Sequence, residues 1–416
     1  MKFALIGKKL GHSYSKFIHE SLLMDQYDLI EINNIDKIKE LFLDGFNVTI
    51  PYKNAIIPYL DQMDETSKMT NAVNTVIKKD NKLYGYNTDY YGFEKMMDFY
   101  NIDVYNQSVI ILGNGSSART VELYLKNKKA KKIQKLVRHK KNDSEDYYDN
   151  QSQYSDYQII INTTPVGMYP REKEDILVNF YNFPQCKAVI DLVYNPYRTK
   201  LLLDAEKFKI KAINGLYMLL MQAKKTEEIL FNQVISDDLI NKVYMSIINK
   251  YTNIVLIGMP TSGKSTIGQI LSDKLNLELI DTDQLIESYA GIKISQIFKF
   301  YGEYKFRKIE EEIYQSLIHK KGALISTGGG VILSQKNIEN LKYHGIIIFI
   351  DKDLSLLKEN DTLSRPLINQ RSDFDKLYEE RYNLYKKASD ITISIDKDNP
   401  FSVERLMRLV YEYINN

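Results

Sequence analysis

A chain of 416 residues has room for about two or three domains, and a composition of 44% hydrophobic and 26% charged residues is that of an ordinary soluble protein. The net charge of +2, with lysine spread along the chain, gives no sign of a nucleic-acid partner or an acidic membrane surface. One cysteine, Cys186, excludes an internal disulfide framework and fits a reducing cytoplasm, and no apolar run approaches the ~18–20 residues of a membrane span.

Short β-branched runs alternate with longer amphipathic segments, which predicts parallel sheets flanked by helices, an α/β fold. Strands are expected at 3–6, 29–32 and 46–50, then at 109–112, 133–137, 159–162 and 188–192, and finally at 254–257, 323–326 and 346–350. The first run is too short for the apolar part of a signal peptide. Residues 216–249 lack a strand pattern and read as helices, and a domain boundary is expected near residue 250. The 32 tyrosines and the absence of tryptophan look like coding bias.

In chain order, Gly11-His12-Ser13-Tyr14-Ser15 follows the first strand and offers two hydroxyls and backbone donors to a carboxylate. Helix capping by Ser13 and Ser15 is the competing reading. Asn47-Val48-Thr49-Ile50-Pro51-Tyr52-Lys53 is a strand with a lysine at its exit. Asn71-Ala72-Val73-Asn74-Thr75 and Gly85-Tyr86-Asn87-Thr88-Asp89 follow. A lysine and an aspartate converging on one hydroxyl are able to handle the proton that moves when hydride is transferred at its carbon.

Residues 109–112 then run into Gly113-Asn114-Gly115-Ser116-Ser117-Ala118, a G-x-G-x-x-A turn between strand and helix. The first glycine permits the turn, the second lets a pyrophosphate approach the backbone, and Ala118 allows close helix–strand packing. A plain βα turn is the alternative. The next strand ends in Arg138-His139-Lys140-Lys141 with no acid for a ribose 2′-hydroxyl, so the expected cofactor is NADP(H) rather than NAD, unless the basic loop is simply solvated.

The motifs LIGKKLGHSYS (5–15), GFNVTIPYK (45–53), NAVNT (71–75), GYNTDYYG (85–92), LGNGSSAR (112–119), INTTPVGM (161–168), DLVYNPYRTKLL (191–202) and NGLYMLLMQA (214–223) together resemble shikimate dehydrogenase. The resemblance implies a substrate domain over 1–90, completed by helices in 216–249, and a Rossmann NADP domain over 91–215. It implies shikimate contacts at Ser13, Ser15, Asn74 and Gln222, a pocket lined also by Thr49 and Tyr194, and a catalytic pair Lys53 and Asp89. Thr163, Met168 and Gly215 fall where the family approaches the nicotinamide. In two departures from the family pattern, Ser116 replaces a common glycine, and Val137 replaces the asparagine that usually precedes the arginine.

The run at 254–257 leads into Gly258-x-x-x-x-Gly263-Lys264-Ser265, a phosphate-binding loop for a nucleoside triphosphate, with Thr266 continuing as a helix. Thr261, Ser262 and Gly263 would supply backbone donors, Lys264 would reach the outer phosphates, and Ser265 would hold Mg²⁺. Leu279-Ile280-Asp281-Thr282-Asp283 places two carboxylates at the end of the next strand, one to position Mg²⁺ and one to bond the acceptor hydroxyl; an Asx-rich turn is the other reading. Gly302-Glu303-x-x-Phe306-Arg307-x-x-Glu310 puts an arginine on a helix, Thr327-Gly328-Gly329-Gly330 exposes bare backbone, and Arg365-Pro366-Leu367 and Glu380-Arg381-Tyr382 follow. Residues 253–395 resemble shikimate kinase in motif order and spacing, and this implies a P-loop kinase domain over 251–416. Carried over, Asp283 contacts the acceptor hydroxyl, Arg307 and Arg381 bind the substrate carboxylate, Gly329 and Gly330 the ring hydroxyls, and Arg365 belongs to a lid over ATP. Lys358 stands where the family often has a further arginine.

Both resemblances name consecutive chemistry on small molecules: reduction of 3-dehydroshikimate with NADPH, then phosphorylation of shikimate with ATP and Mg²⁺. A quinate/shikimate dehydrogenase preferring NAD and fused to the kinase is one alternative, which an acid near residue 137 would favour. A non-catalytic shikimate-sensing regulator is the other; it predicts loss of Lys53, Asp89, Lys264 or Asp283, and all four are present.

Overall fold

The computed structural model describes residues 2–11, 13–24, 26–171, 174, 178–358 and 371–415, without the side chains of 371–373 and 415. The chain divides into two compact units, Met1–Ile247 and Ile248–Asn416. Among the described residues, no helix is long and apolar enough to cross a membrane.

The first unit holds two six-stranded sheets. One is built from β1 (Phe3–Gly7), β2 (Tyr27–Glu31), β3 (Gly45–Val48), β4 (Gln62–Met63), β5 (Thr75–Lys79) and β6 (Lys82–Tyr86), in the order β2-β1-β3-β5-β6-β4. It departs from the all-parallel expectation: β1 runs parallel to β2 and β3, but β3–β5 and β5–β6 are antiparallel. The cause is local. Asp80 and Asn81 both take positive φ (50° and 59°), which closes a two-residue hairpin of the kind that Asp and Asn favour. Periodicity missed this hairpin because its strands are half polar, although the Asp-Asn turn was a usable signal.

The other sheet contains β7 (Ser108–Leu112), β8 (Lys132–Val137), β9 (Glu145–Tyr147), β10 (Ile159–Asn162), β11 (Ala188–Asp191) and β12 (Lys211–Asn214). All its pairings are parallel, in the order β12-β11-β10-β7-β8-β9, the doubly wound dinucleotide-binding order. Every residue of β7 is buried, which is why Val109-Ile110-Ile111-Leu112 reads as an unbroken apolar run. The order reverses between β7 and β10, so a crevice opens beyond their carboxyl ends.

Helices Thr88–Phe99 and Leu216–Phe231 pack face to face. Gly92 makes this approach possible, since a Cβ there would lie 2.6 Å from the Met218 carbonyl oxygen and 3.0 Å from Gln222 N. The tyrosines dismissed as coding bias are partly structural. Tyr217 stacks on Phe99 at 3.9 Å, and the Tyr100 and Tyr244 hydroxyls share a 3.0 Å hydrogen bond, joining helix Asp237–Tyr251 to the pair.

The second unit is a parallel five-stranded sheet of β13 (Asn253–Ile257), β14 (Glu278–Asp281), β15 (Ala323–Ser326), β16 (Gly345–Lys352) and β17 (Ile391–Ile395), ordered β14-β15-β13-β16-β17. Val255, Ile257, Ile325, Ile347 and Phe349 form its core, each 1% exposed or less, and burying such a side chain contributes about 1.5–3 kcal/mol. The strand β17 was not expected, although Ile391-Thr392-Ile393-Ser394-Ile395 alternates with period two.

Gly92→Ala should push the two helices of the first unit apart and destabilise it by about 1–3 kcal/mol, as overpacking against backbone does. Urea unfolding followed by circular dichroism measures this, and an unchanged midpoint would show that the contact is not tight.

Candidate active sites

In the first unit, β3 and the turn after it deliver Lys53, and helix Thr88–Phe99 delivers Asp89 from its first turn. Lys53 Nζ lies 2.6 Å from Asp89 Oδ2, with both side chains mostly buried (16% and 11% exposed). Asn74, at the mouth of β5, donates to Asp89 Oδ1 (2.9 Å), Thr88 Oγ1 (2.9 Å) and Gln222 Oε1 (3.3 Å), and accepts from the Thr88 backbone N–H (2.8 Å). The neighbours Thr88 and Asp89 thus meet the distant Gln222 at one buried amide. A second group gathers beside β1. Ser13 Oγ accepts from the Ser15 N–H (3.2 Å), but neither serine is the N-cap of helix Ser15–Ser21, whose N-cap Tyr14 makes no side-chain cap bond, and Ser13 also bonds the Tyr194 hydroxyl. Burial pushes the Tyr194 hydroxyl up, with the Ser13 bond opposing. Thr49 sits outside both groups, its methyl against Gly7.

A cavity of about 940 Å³ opens at the carboxyl ends of β7 and β10, large enough for a cofactor. Gly113, Gly115, Ser116 and Ser117 line one wall, Thr163 another, and Lys53 stands at its edge. Gly113 has φ +101°, and a Cβ there would lie 2.7 Å from Thr164 Cγ2; at Gly115 a Cβ would meet nothing within 4 Å. Helix Ser116–Asn127 begins at Gly115, so its free N–H groups face the cavity, and this cradle fits a pyrophosphate. Ala118 is fully buried behind it. Met168 and Gly215 are not among the lining residues; Gly215 heads helix Leu216–Phe231, which carries Gln222.

The basic loop after β8 also lines this cavity. Arg138 is exposed there and has no ion pair among the described residues. Lys140 is paired with Asp146 at 3.1 Å. Burial works against it, yet bonds from Tyr154, Asn150 and Lys140 hold the Asp146 carboxyl well below the usual range. Glu145, unremarked in the sequence, is buried and accepts from the Asn114 side chain (3.1 Å) and the Lys141 N–H (2.6 Å), tying the glycine turn to the basic loop. Both acids are therefore engaged within the protein, while Asp149 reaches the cavity wall exposed. Nothing in local spacing singles out Glu145; its role exists only because β8 and β9 are neighbours.

In the second unit, the loop after β13 lines a cavity of about 1030 Å³ together with Asp281, Asp283, Arg307, Glu310, Gly328, Gly329, Gly330 and Arg381. Gly258 (φ +154°) packs against the Ile350 carbonyl, and Gly263 (φ +87°) leads into helix Lys264–Leu275 with nothing within 4 Å of a Cβ. Thr261 holds positive φ (66°), unusual for a β-branched residue, and Ser262 is buried. Lys264 Nζ donates to the Gly258 and Met259 carbonyls (3.0 and 2.9 Å), while Thr266 lines the open side. Ser265 Oγ donates to Asp281 Oδ2 (3.0 Å), and Asp281 Oδ1 accepts from the Asp283 and Gln284 N–H groups. Asp281 is thus both a helix cap and an oxygen donor beside Ser265, a pair suited to Mg²⁺.

Helix Ile294–Ser316 is kinked at Gly302 (φ 75°), and its second part presents Arg307. Arg307 bonds Glu310 (2.8 Å) and Glu303 (3.0 Å), with its guanidinium pressed on Gly330. Burial opposes the Arg307 charge, but these two carboxylates more than restore it. Burial likewise pushes the Glu310 carboxyl up, against the pull of Arg307. The sequence motif includes Glu310 but assigns it no role, although its i,i+3 spacing from Arg307 predicts this pairing. Arg381, 6% exposed, donates to the Gly329 carbonyl at 3.1 Å. Arg365 lies outside the described residues, and Lys358 pairs with Asp375 at 2.5 Å.

The folds and cavities define a two-part enzyme: a dinucleotide-dependent α/β oxidoreductase followed by a P-loop phosphotransferase. Residues 5–76 match the family model of the shikimate dehydrogenase substrate binding domain, and residues 260–414 match that of shikimate kinase. The chain is 38% identical over 247 residues to shikimate dehydrogenase (NADP(+)) of Clostridium perfringens strain 13, covering 55% of this chain and 91% of that protein. Among solved structures, shikimate dehydrogenase 1 of Peptoclostridium difficile is 33% identical with a TM-score of 0.55, covering 59% of this chain and 98% of that one. A chorismate mutase/shikimate 5-dehydrogenase fusion protein from Clostridium acetobutylicum is 35% identical with a TM-score of 0.55, covering 59% and 96%. The chain belongs to the shikimate dehydrogenase family and carries a shikimate kinase domain after it.

Proposed function

We propose that the first unit reduces 3-dehydroshikimate to shikimate with NADPH and that the second phosphorylates shikimate to shikimate 3-phosphate with ATP. The observation that carries this reading is the mostly buried Lys53–Asp89 pair at the edge of a dinucleotide cavity, in one chain with a phosphate loop facing Asp283, Arg307 and Arg381.

NADPH supplies the hydride for the first reaction. Ser13, Ser15, Tyr194, Asn74 and Gln222 bind and orient the acid, Lys53 hands a proton to the oxygen of the carbonyl being reduced, and Asp89 holds Lys53 in place. Thr49 completes the pocket wall. Gly113, Gly115, Ser116, Ser117, Ala118 and Thr163 form the cofactor cradle, and Arg138 with Lys140 faces the 2′-phosphate. Met168 and Gly215 border the nicotinamide end. In the second reaction, Asp283 takes the acceptor hydroxyl, Gly328, Gly329 and Gly330 shape the ring site, and Arg307 and Arg381 clamp the carboxylate. Lys264, with Arg365 in the family's lid position, compensates phosphate charge; Ser265 and Asp281 would hold Mg²⁺. The single thiol suits a cytoplasmic setting. Supplying 3-dehydroshikimate, NADPH and ATP together should consume NADPH and form shikimate 3-phosphate. NADPH loss without phosphorylated product, or no turnover at all, would reject the bifunctional reading.

Lys53→Ala should remove most NADPH oxidation and leave phosphorylation of added shikimate intact, and Lys264→Ala should do the reverse. If either change silenced both reactions in folded protein, two independent sites would be ruled out. Arg138→Ala should weaken NADPH far more than NADH, because a bond to a charged group contributes roughly 1.5–3 kcal/mol. Equal use of both cofactors by the unmodified enzyme contradicts this. Arg307→Lys keeps the charge but loses the planar fork, so it should raise the shikimate KM at least about tenfold with the ATP KM nearly unchanged. The opposite split in steady-state kinetics would assign this arginine to phosphate.

A further inference from the structure

Ser116, which departs from the family glycine, has a partner that the cofactor reading does not use. Its Oγ donates to Asn54 Oδ1 at 2.5 Å, and Asn54 is the residue after Lys53. Asn54 in turn donates to the Asn71 carbonyl. One helical turn beyond Ser116, Arg119 donates to the Thr70 carbonyl (2.6 Å) and the Asn71 carbonyl (3.1 Å), and approaches Ser116 Oγ at 3.4 Å. Thr70 ends helix Glu65–Thr70, and Asn71 caps it with φ 48°, so both carbonyls lack helical donors and are open to outside ones. Lys53 and Asn74 flank this contact: the first adjoins Asn54, the second follows Asn71 by three residues.

The helix that begins at the cofactor cavity is therefore clasped to the two chain segments bearing Lys53 and Asn74. We infer that Asn54, held by Ser116, is a positioning residue for the reduction, setting Lys53 in register with the cofactor cradle. This rests on the dehydrogenase reading above. Reacting atoms must sit about 3–3.5 Å apart, and a displacement near 1 Å is enough to slow chemistry up to about a hundredfold. Loss of the clasp should thus slow hydride transfer without weakening cofactor binding. It is a property of the first unit alone.

Asn54→Ala should lower kcat for 3-dehydroshikimate reduction about three- to tenfold with the NADPH KM within about twofold, and Ser116→Ala should lower kcat by a similar factor. The primary deuterium isotope effect with NADPH labelled at the transferred hydrogen should rise. The double variant should be no slower than the slower single one, because both remove the same bond. Phosphorylation of added shikimate by the same preparations controls for folding, and both side chains are partly exposed, so truncation leaves no deep cavity. Unchanged kcat and isotope effect would overturn the inference. So would a loss confined to the NADPH KM, which would mean that the Ser116 hydroxyl serves the cofactor's phosphates directly. An unmodified chain that oxidises no NADPH with 3-dehydroshikimate, yet phosphorylates shikimate, would instead reject the dehydrogenase reading itself.

Discussion

A fully buried parallel strand that runs through a glycine turn into the start of a helix is the arrangement on which both cavities depend. In β7 and β13 every residue is buried, and neighbouring strands pair with each on both sides. Such a strand has no freedom to shift, so the turn after it is fixed and the unpaired N–H groups of the next helix point into a cavity. The two turns solve the problem differently. At Gly113 positive φ is combined with an approach to Thr164 that a side chain would clash with, whereas at Gly263 positive φ stands in open space. Both outcomes leave bare backbone where phosphate oxygens need to come close.

Around each cradle, the acids and cations are sorted by what else they touch. Glu145 and Asp146 lie close to the basic loop but are held by Asn114, Lys141, Tyr154 and Lys140, while Arg138 remains exposed to the cavity. In the second unit Glu310 balances Arg307 from a buried position, so the guanidinium is held against Gly330 before any substrate arrives. An arginine fixed in this way loses less rotamer entropy on binding than a free one. Asn74 has the same function in the first unit, as one amide that locks Asp89, Thr88 and Gln222 together.

Much of the candidate chemistry was legible because it lies in short contiguous stretches. The glycine turns, the two aspartates after β14 and the lysine after β3 carry backbone requirements or chemical types that survive without neighbours. The antiparallel half of the first sheet was not legible from periodicity, since the exposed residues of β5 and β6, Lys78, Lys79 and Lys82, cluster at the turn instead of alternating, and the hairpin rests on two positive-φ residues. Glu145 was invisible for another reason: its carboxylate is defined by a strand neighbour and a turn 31 residues earlier. Tyrosines set aside as compositional noise turned out to join three helices, which frequency alone does not reveal.

What the sequence determined by itself was the set of local devices: strand–glycine–helix turns, charged residues at strand exits, and apolar runs long enough to be buried on both faces. Each depends on forces acting within a few residues, namely backbone sterics, helix-end polarity and side-chain periodicity. Tertiary structure alone decided which of these devices share a cavity. Gln222 meets Asn74 and Thr88 because Gly92 lets two helices close to backbone contact, and Ser116 meets Asn54 because one helix end abuts the turn that follows Lys53. Those juxtapositions depend on packing between distant segments, where a single methyl group changes the distance, and no local pattern records it.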